Sequence, residues 1–215
     1  MTTSPITEFQ ADVARAFFSL PEAKSFLLAG GLALAAHGLT ERPTEDLDAF
    51  TSSIADVTTA FEAFVVAAGD QGWSTDVVQA SDTFVRLVVV GEDSLLVDIA
   101  LDSAPGLPPV MSILGPTFAP EELAGRKLLA LFDRAMPRDF VDVYRLAQRW
   151  KPDRLVESAI SIDAGFDLSV LLTAMGQLNA LSDADLPIGD SEVEGLRTFF
   201  HSWIKQLEAE VSGGE

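Results

Sequence analysis

The sequence predicts an α+β protein, with strands and helices interleaved over residues 1–104 and a mainly helical domain over residues 105–215. Three observations lead there. In the first half, segments with apolar residues at helical spacing are interleaved with short apolar or alternating runs of strand type. The stretch Ser103 to Pro120 holds Pro105, Pro108, Pro109, Pro116 and Pro120, which disrupt helix and central strand alike and read as a linker. Beyond it the composition is helical nearly to the end.

Taken in order, Phe9, Val13, Phe17 and Leu20 recur at helical spacing within Thr7 to Leu20, and Pro21 stops the pattern. The short apolar run Phe26 to Ala29 reads as a buried strand. Gly30-Gly31 follows at once, before the helix formers Leu32 to His37, so the glycines fall where a strand turns into a helix. Gly38 ends that helix and Arg42-Pro43-Thr44 is loop. Asp46-Leu47-Asp48-Ala49-Phe50 then alternates with period two at its start, which places both carboxylates on one face of a strand. Ile54 to Ala68 reads as helix. Thr83 to Val90 and Ser94 to Leu101, joined by Gly91-Glu92-Asp93, read as an antiparallel hairpin with Asp98 on its second strand. After the linker, Glu121 to Ala135 and Asp139 to Trp150 are expected to be helices. Leu155 onward is expected to be helical with a break near Leu181 to Asp190.

Composition narrows the function classes. No apolar run is long enough to span a bilayer, and the first ten residues lack a basic stretch followed by an apolar core, so a cytoplasmic protein is expected. The absence of cysteine excludes disulfides and cysteine-based metal sites. A formal net charge of −19 opposes indiscriminate binding to nucleic acid. The charge is uneven, however. Eight of the 14 Lys and Arg lie between Arg126 and Arg154, against four acids there, giving a local balance of 8 − 4 = +4. This is either a docking surface for a polyanion or a pair of salt-bridged helices.

The strongest constellation lies within the 19 residues from Gly30 to Asp48. Nucleotidyl transfer needs backbone amides and a hydroxyl to hold a triphosphate, and closely spaced carboxylates to bind the metal ions that offset its charge. A Gly-Gly turn lets phosphate approach the backbone. Thr44 offers the hydroxyl, and Asp46 and Asp48 offer hard oxygen donors of the kind Mg2+ prefers. Each part alone is common, since Gly-Gly is often just a tight turn and Asp-x-Asp is often solvated. Their order and proximity are what point to chemistry.

The stretch Phe26 to Leu34, followed by Arg42-Pro43-Thr44-Glu45-Asp46-Leu47-Asp48-Ala49-Phe50, resembles the signature of the AbiEii/AbiGii (MenT-like) nucleotidyltransferase toxins of the DNA polymerase beta-like superfamily. Glu122 to Ala130 and Arg138 to Leu146 resemble the family's lysine motif and its Asp-containing helix, in the right order. The resemblance implies a polymerase beta-like core, a mixed twisted sheet flanked by helices, with a C-terminal helical domain that contributes to the site. It further implies a metal-dependent enzyme using Mg2+ or Mn2+. The enzyme would transfer NMP from a nucleoside triphosphate to the 3′ end of tRNA, as the toxin of a toxin–antitoxin pair with a cognate antitoxin as partner.

Carried over residue by residue, Gly30, Gly31, Arg42 and Thr44 grip the nucleotide, Asp46 and Asp48 bind metal, Lys127 contacts the phosphates, and Asp139 supports the site. The sequence departs from the family in having threonine where serine is more usual at position 44, and in its overall acidity. A second reading keeps the fold and changes the acceptor to a small molecule such as an aminoglycoside or to a protein hydroxyl, and the acidity suits a cationic antibiotic better than an RNA. A catalytically silent binding module of the same fold is a third reading.

Asp98 sits among strand-forming apolar residues, where a bare carboxylate is costly to bury, so it is expected either to be a third metal ligand or to face water on an edge strand. Lys127 shares a helical stripe with Leu123 and Leu131, so its ammonium either meets a phosphate or carboxylate or snorkels to solvent. Asp139 is a candidate N-cap as well as a candidate functional acid, and Asp142 lies one turn later. His37 and His201 are given no role. Trp150, Phe199, Phe200 and Trp203 read as core.

Overall fold

The structure, a computed structural model, describes residues 5–213 and divides into two compact units, Met1–Pro120 and Glu121–Glu215. The first is built on a seven-stranded sheet in the order β3-β4-β5-β2-β1-β7-β6. The strands are β1 (Leu27–Ala29), β2 (Asp46–Thr51), β3 (Ser74–Ala80), β4 (Phe84–Val90), β5 (Ser94–Leu101), β6 (Val110–Met111) and β7 (Pro116–Thr117). The sheet is mixed, because β2 runs parallel to β5 and β1 parallel to β7 while the other neighbours are antiparallel.

Alternation along the central strands gives the sheet two unlike faces. Leu47 and Ala49 of β2, Val85, Leu87 and Val89 of β4, and Val97 and Ile99 of β5 are buried. Helices α1 (Glu8–Phe18) and α3 (Ile54–Asp70) pack together, and α3 lies against β2, β3, β4 and β5. Phe17 of α1 is the hub, in edge-to-face contact with Phe26 and with Phe64 of α3. The positions between the buried ones, Asp46, Asp48, Arg86 and Asp98, project from the opposite face. Helix α1 starts with a capping box in which Thr7 and Gln10 each satisfy the other's backbone amide.

Two elements differ from the sequence expectation. Strand β3 was not anticipated, because it is an edge strand exposed along most of its length and so carries no apolar alternation. The proline-rich segment is not merely a linker, since it contributes β6 and β7 to the far end of the sheet, and the two units meet at Pro120 instead of at residue 104. Pro116 is tolerated because it opens a two-residue strand.

The second unit is helical: α4 (Pro120–Arg134), α5 (Pro137–Ala147), α6 (Pro152–Ile162), α7 (Leu168–Gly176) and α8 (Asp190–Gly213), with a 3-10 turn at Asp183–Asp185 inside the expected break, another at Gln177–Ala180 just before it, and a further interruption at residues 163–167 that was not expected. Phe140 of α5 packs edge-to-face on Phe200 of α8, beside Trp203, and Phe200 and Trp203 are core as expected, whereas Phe199 and Trp150 are only half-buried at its margin. Gly125 lets α4 approach α6, for a Cβ there would lie 2.2 Å from Ser158 Oγ.

Candidate active site

Strand β1 ends at Ala29 and helix α2 (Gly30–Ala36) begins on the next residue, so the chain must turn within Gly30. Gly30 does this with φ +63°, a left-handed conformation that glycine adopts without steric cost. The register of β1 with β2 sets Asp48 opposite Ala29, which drops the Asp48 side chain directly over the turn. A Cβ on Gly30 would stand 1.7 Å from Asp48 Oδ2. Gly31 is equally confined, with Thr44 Oγ1 at 2.7 Å and an Arg42 guanidinium nitrogen at 3.3 Å from where its Cβ would be. The Gly-Gly turn is therefore a bare cradle lined by Asp48, Thr44 and Arg42.

Two contacts help to hold the loop leading into β2 in place. Thr44 Oγ1 donates to Asp46 Oδ1 at 2.7 Å, orienting the first carboxylate. Gln10, buried in α1, donates from Nε2 to the Thr44 carbonyl at 2.7 Å while its Oε1 remains in the capping box. Asp46 and Asp48, two residues apart on β2, project to the same side of the sheet.

Asp98 lies on β5 directly opposite Asp48 and is only 6% exposed. Its burial is offset by a group the sequence reading did not single out. Arg86 of β4 donates from Nε to Asp98 Oδ1 at 2.8 Å and from Nη2 to Oδ2 at 2.6 Å, a two-pronged pair. The bond to Asp98, together with the charges of Asp98, Asp48 and Asp46, raises the guanidinium above its ordinary value against the opposing effect of burial. Asp98 is thus neither bare nor on an edge strand. Among the described residues no group of three His, Asp or Glu side chains is arranged to hold a metal.

Lys127 and Asp139 belong to the second unit. Lys127 is 7% exposed, and its Nζ meets Asp142 Oδ2 at 2.9 Å, so a carboxylate answers the buried ammonium. Asp142 is fully buried and was the open alternative to Asp139. Asp139 is also fully buried; Arg134 grips both of its oxygens at 2.9 Å, and the Met136 amide donates to Oδ2 at 3.2 Å. It serves the helix start from the third helical position and not as the N-cap, which is Met136. The bend between α4 and α5 places Ala135 at φ +45°, which lets Arg134 turn back onto Asp139.

A fold of this topology, with two aspartates on a central strand facing a Gly-Gly turn, defines a nucleotidyltransferase. Residues 13–167 match the nucleotidyl transferase AbiEii toxin family of type IV toxin–antitoxin systems, and the chain belongs to that family. The solved structures include similar folds. JHP933 from Helicobacter pylori shares 18% identity and a TM-score of 0.54, over 97% of this chain and 98% of its own. A candidate nucleotidyltransferase from H. pylori shares 19% identity and a TM-score of 0.54, over 94% of this chain and 99% of its own. The nucleotidyltransferase toxin MenT4 of Mycobacterium tuberculosis aligns at 16% identity and a TM-score of 0.48, over 92% and 87%. Comparison with curated proteins gives no match.

Proposed function

We propose that the protein transfers a nucleoside monophosphate from a nucleoside triphosphate to the 3′-terminal hydroxyl of tRNA in the cytoplasm, as a toxin restrained by a cognate antitoxin. The observation that carries the reading is the pressing of Asp48, with Asp46 beside it on β2, against a glycine turn where a Cβ would stand 1.7 Å from the carboxylate. In the reaction the acceptor oxygen attacks the α-phosphorus and loses its proton. The α–β phosphoanhydride bond breaks, and pyrophosphate leaves with the bonding pair.

The residues present fit Mg2+ or Mn2+. Asp46 and Asp48 are hard carboxylate donors on one strand face, and a two-carboxylate set leaves room for phosphate oxygens and water in an octahedral shell. The charge of the unit argues the same way. Residues 1–120 hold four Lys or Arg against 16 Asp or Glu, a balance of 4 − 16 = −12, into which a polyanionic nucleotide must enter. When bound, a divalent ion supplies neutralisation of the triphosphate and acidification of the attacking hydroxyl. The chain itself provides the rest. Gly30 and Gly31 let phosphate reach the backbone, Thr44 fixes the Asp46 carboxylate, and Arg42 faces the same turn. By family resemblance Lys127 contacts the nucleotide phosphates and Asp139 supports the site; in this structure they are held by Asp142 and Arg134.

One observation favours a second acceptor class. In the basic stretch, Arg126 pairs with Glu122, Lys127 with Asp142, Arg134 with Asp139, Arg145 with Glu192, and Arg154 with Glu121 and Glu157. These cations are largely neutralised in place, so a cationic small molecule also suits the acidic surface. The deciding experiment incubates the protein with each labelled triphosphate and either total tRNA or aminoglycosides, with Asp48→Ala alongside. Label on tRNA that Asp48→Ala abolishes is the expected result. Transfer to neither acceptor, or equal transfer by the variant, overturns the reading.

A further inference from the structure

We infer that Arg86 is a resident cation of the acidic site: it keeps Asp98 out of the metal-ligand set of the resting protein and so sets how tightly a divalent ion binds before any nucleotide arrives. This rests on reading Asp46 and Asp48 as metal ligands. It adds a positioning residue that neither the sequence motif nor the family match assigns.

The sheet itself builds the arrangement. The registers of β4 with β5 and of β5 with β2 place Arg86, Asp98 and Asp48 in one row across three neighbouring strands. Neighbouring strands lie roughly 4.8 Å apart, so Asp98 stands one strand from Asp48 on the same face of the sheet. Both Asp98 oxygens are occupied by the guanidinium fork, and the fork matches carboxylate geometry in a way a lysine could not. Arg86 also rests over the Phe84 ring, 5.5 Å from its centroid, which fixes the guanidinium from a second side.

Distribution of charge sharpens the point. Residues 1–120 contain only Arg15, Lys24, Arg42 and Arg86 as strong bases. Arg15 pairs with Asp12 on the surface of α1, whereas Arg42 and Arg86 both stand at the site. The Asp98 side chain is 8% exposed and that of Arg86 40%, so the carboxylate is the fixed, buried member and the guanidinium the member with access to solvent. A ligand that draws the arginine away would therefore expose a third carboxylate beside Asp48. Replacing Arg86 by a neutral residue has two effects of the same sign on a free divalent ion: it releases both Asp98 oxygens, and it removes a positive charge from a site of three acids.

The test titrates the full-length protein with Mn2+ alone, following unbound Mn2+ by electron paramagnetic resonance, with thermal melts at each end point. Arg86→Gln is expected to bind Mn2+ roughly tenfold or more tightly than the unmodified protein. Its melting temperature falls without the ion and recovers with it by more than the unmodified protein gains. Adding Asp98→Asn to Arg86→Gln should remove that gain. Arg86→Lys, which keeps the charge but not the fork, should fall between, and it carries the test if Arg86→Gln folds only with Mn2+ or not at all. Unchanged or weaker Mn2+ binding on loss of the fork, or a gain that survives Asp98→Asn, overturns the inference. Asp48→Ala separates the two levels: if it leaves Mn2+ binding intact, the metal-site reading itself fails. If it abolishes binding while Arg86→Gln changes nothing, only the role given to Arg86 fails.

Discussion

Replacing Gly30 by alanine tests the geometry of the site directly, because a second glycine supplies its control. Gly30 opens α2 and Gly38 follows its end, with nearly the same φ, +63° and +64°. An alanine at either carries the left-handed strain of about 1–2 kcal/mol, partly offset by the roughly 0.4–1 kcal/mol gained from a stiffer unfolded chain. A net loss of about 1 kcal/mol, or roughly 2–4 °C in Tm, is expected from both. The surroundings differ completely. A Cβ at 38 meets nothing within 4 Å, whereas one at 30 would stand 1.7 Å from Asp48 Oδ2 and 2.8 Å from its Cγ. Ordinary contact begins near 3.4 Å, so the carboxylate must retreat by about 3.4 − 1.7 = 1.7 Å. It can swing, so the clash adds little to the stability loss, but it cannot stay over the turn. A displacement of that size at a reacting centre lowers rate by roughly 100-fold or more. Thermal melts and the labelled-triphosphate assay on Gly30→Ala and Gly38→Ala should show matched melting temperatures and sharply different transfer rates. Similar rates in the two variants would refute the cradle.

Gln10→Glu keeps the acceptor that closes the α1 capping box but replaces the donor to the Thr44 carbonyl with a carboxylate, so a loss of about 1–3 kcal/mol is expected in thermal melts; an unaltered Tm would show that the loop is held by other means. Gly125→Ala forces a Cβ to 2.2 Å from Ser158 Oγ and 3.0 Å from its carbonyl carbon, and overpacking of about 1–3 kcal/mol should exceed the roughly 1 kcal/mol that alanine gains in helix propensity. Ser158→Gly should rescue it, and a Gly125→Ala protein more stable than the parent would show that α4 and α6 have room for the methyl group. Asp167 caps α7, and the Ser169 hydroxyl, followed by the Val170 and Ser169 amides, holds its carboxyl below the usual range. A lowered folded pKa means the stabilisation is present above the unfolded value of about 3.9 and is lost as pH falls through the lower folded value. Asp167→Asn should therefore flatten the decline of the urea midpoint below about pH 4, and an identical acid limb in both proteins would contradict that assignment.

The fold was legible where one face of an element is buried and illegible where none is. Phe9, Val13 and Phe17 announce α1 because that stripe enters the core, and Leu47 and Ala49 announce β2 because they alternate with half-buried carboxylates. Strand β3 carries Val77 and Val78 side by side, both more than half exposed, with a register shift between Val77 and Gln79. An edge strand held by backbone bonds to a single neighbour imposes no periodicity on its side chains. Strands β6 and β7 are two residues each, below the length at which alternation can register, and the prolines in and around them mimic a linker.

At the site, the motif residues on one continuous stretch were readable, while the partners of its charges needed the third dimension. For Asp98 the missing information was nearly in hand. The expected hairpin turns at Gly91-Glu92-Asp93, and reflecting position 98 through 92 lands on 86, an arginine between Val85 and Leu87 on the facing strand. Asking which residue opposes a buried acid would have found it. No such symmetry links Lys127 to Asp142 or Arg145 to Glu192, whose elements are joined by packing and not by a short turn. The same gap affects the basic stretch from Arg126 to Arg154. Its surplus of +4 was counted along the chain, yet Glu121, Glu122 and Glu192, which neutralise three of its arginines, all lie outside the interval counted. A buried or crowded charge guarantees that some partner exists. Sequence order identifies that partner only when a local turn brings it near, so linear charge runs overstate the field that an acceptor such as tRNA would meet.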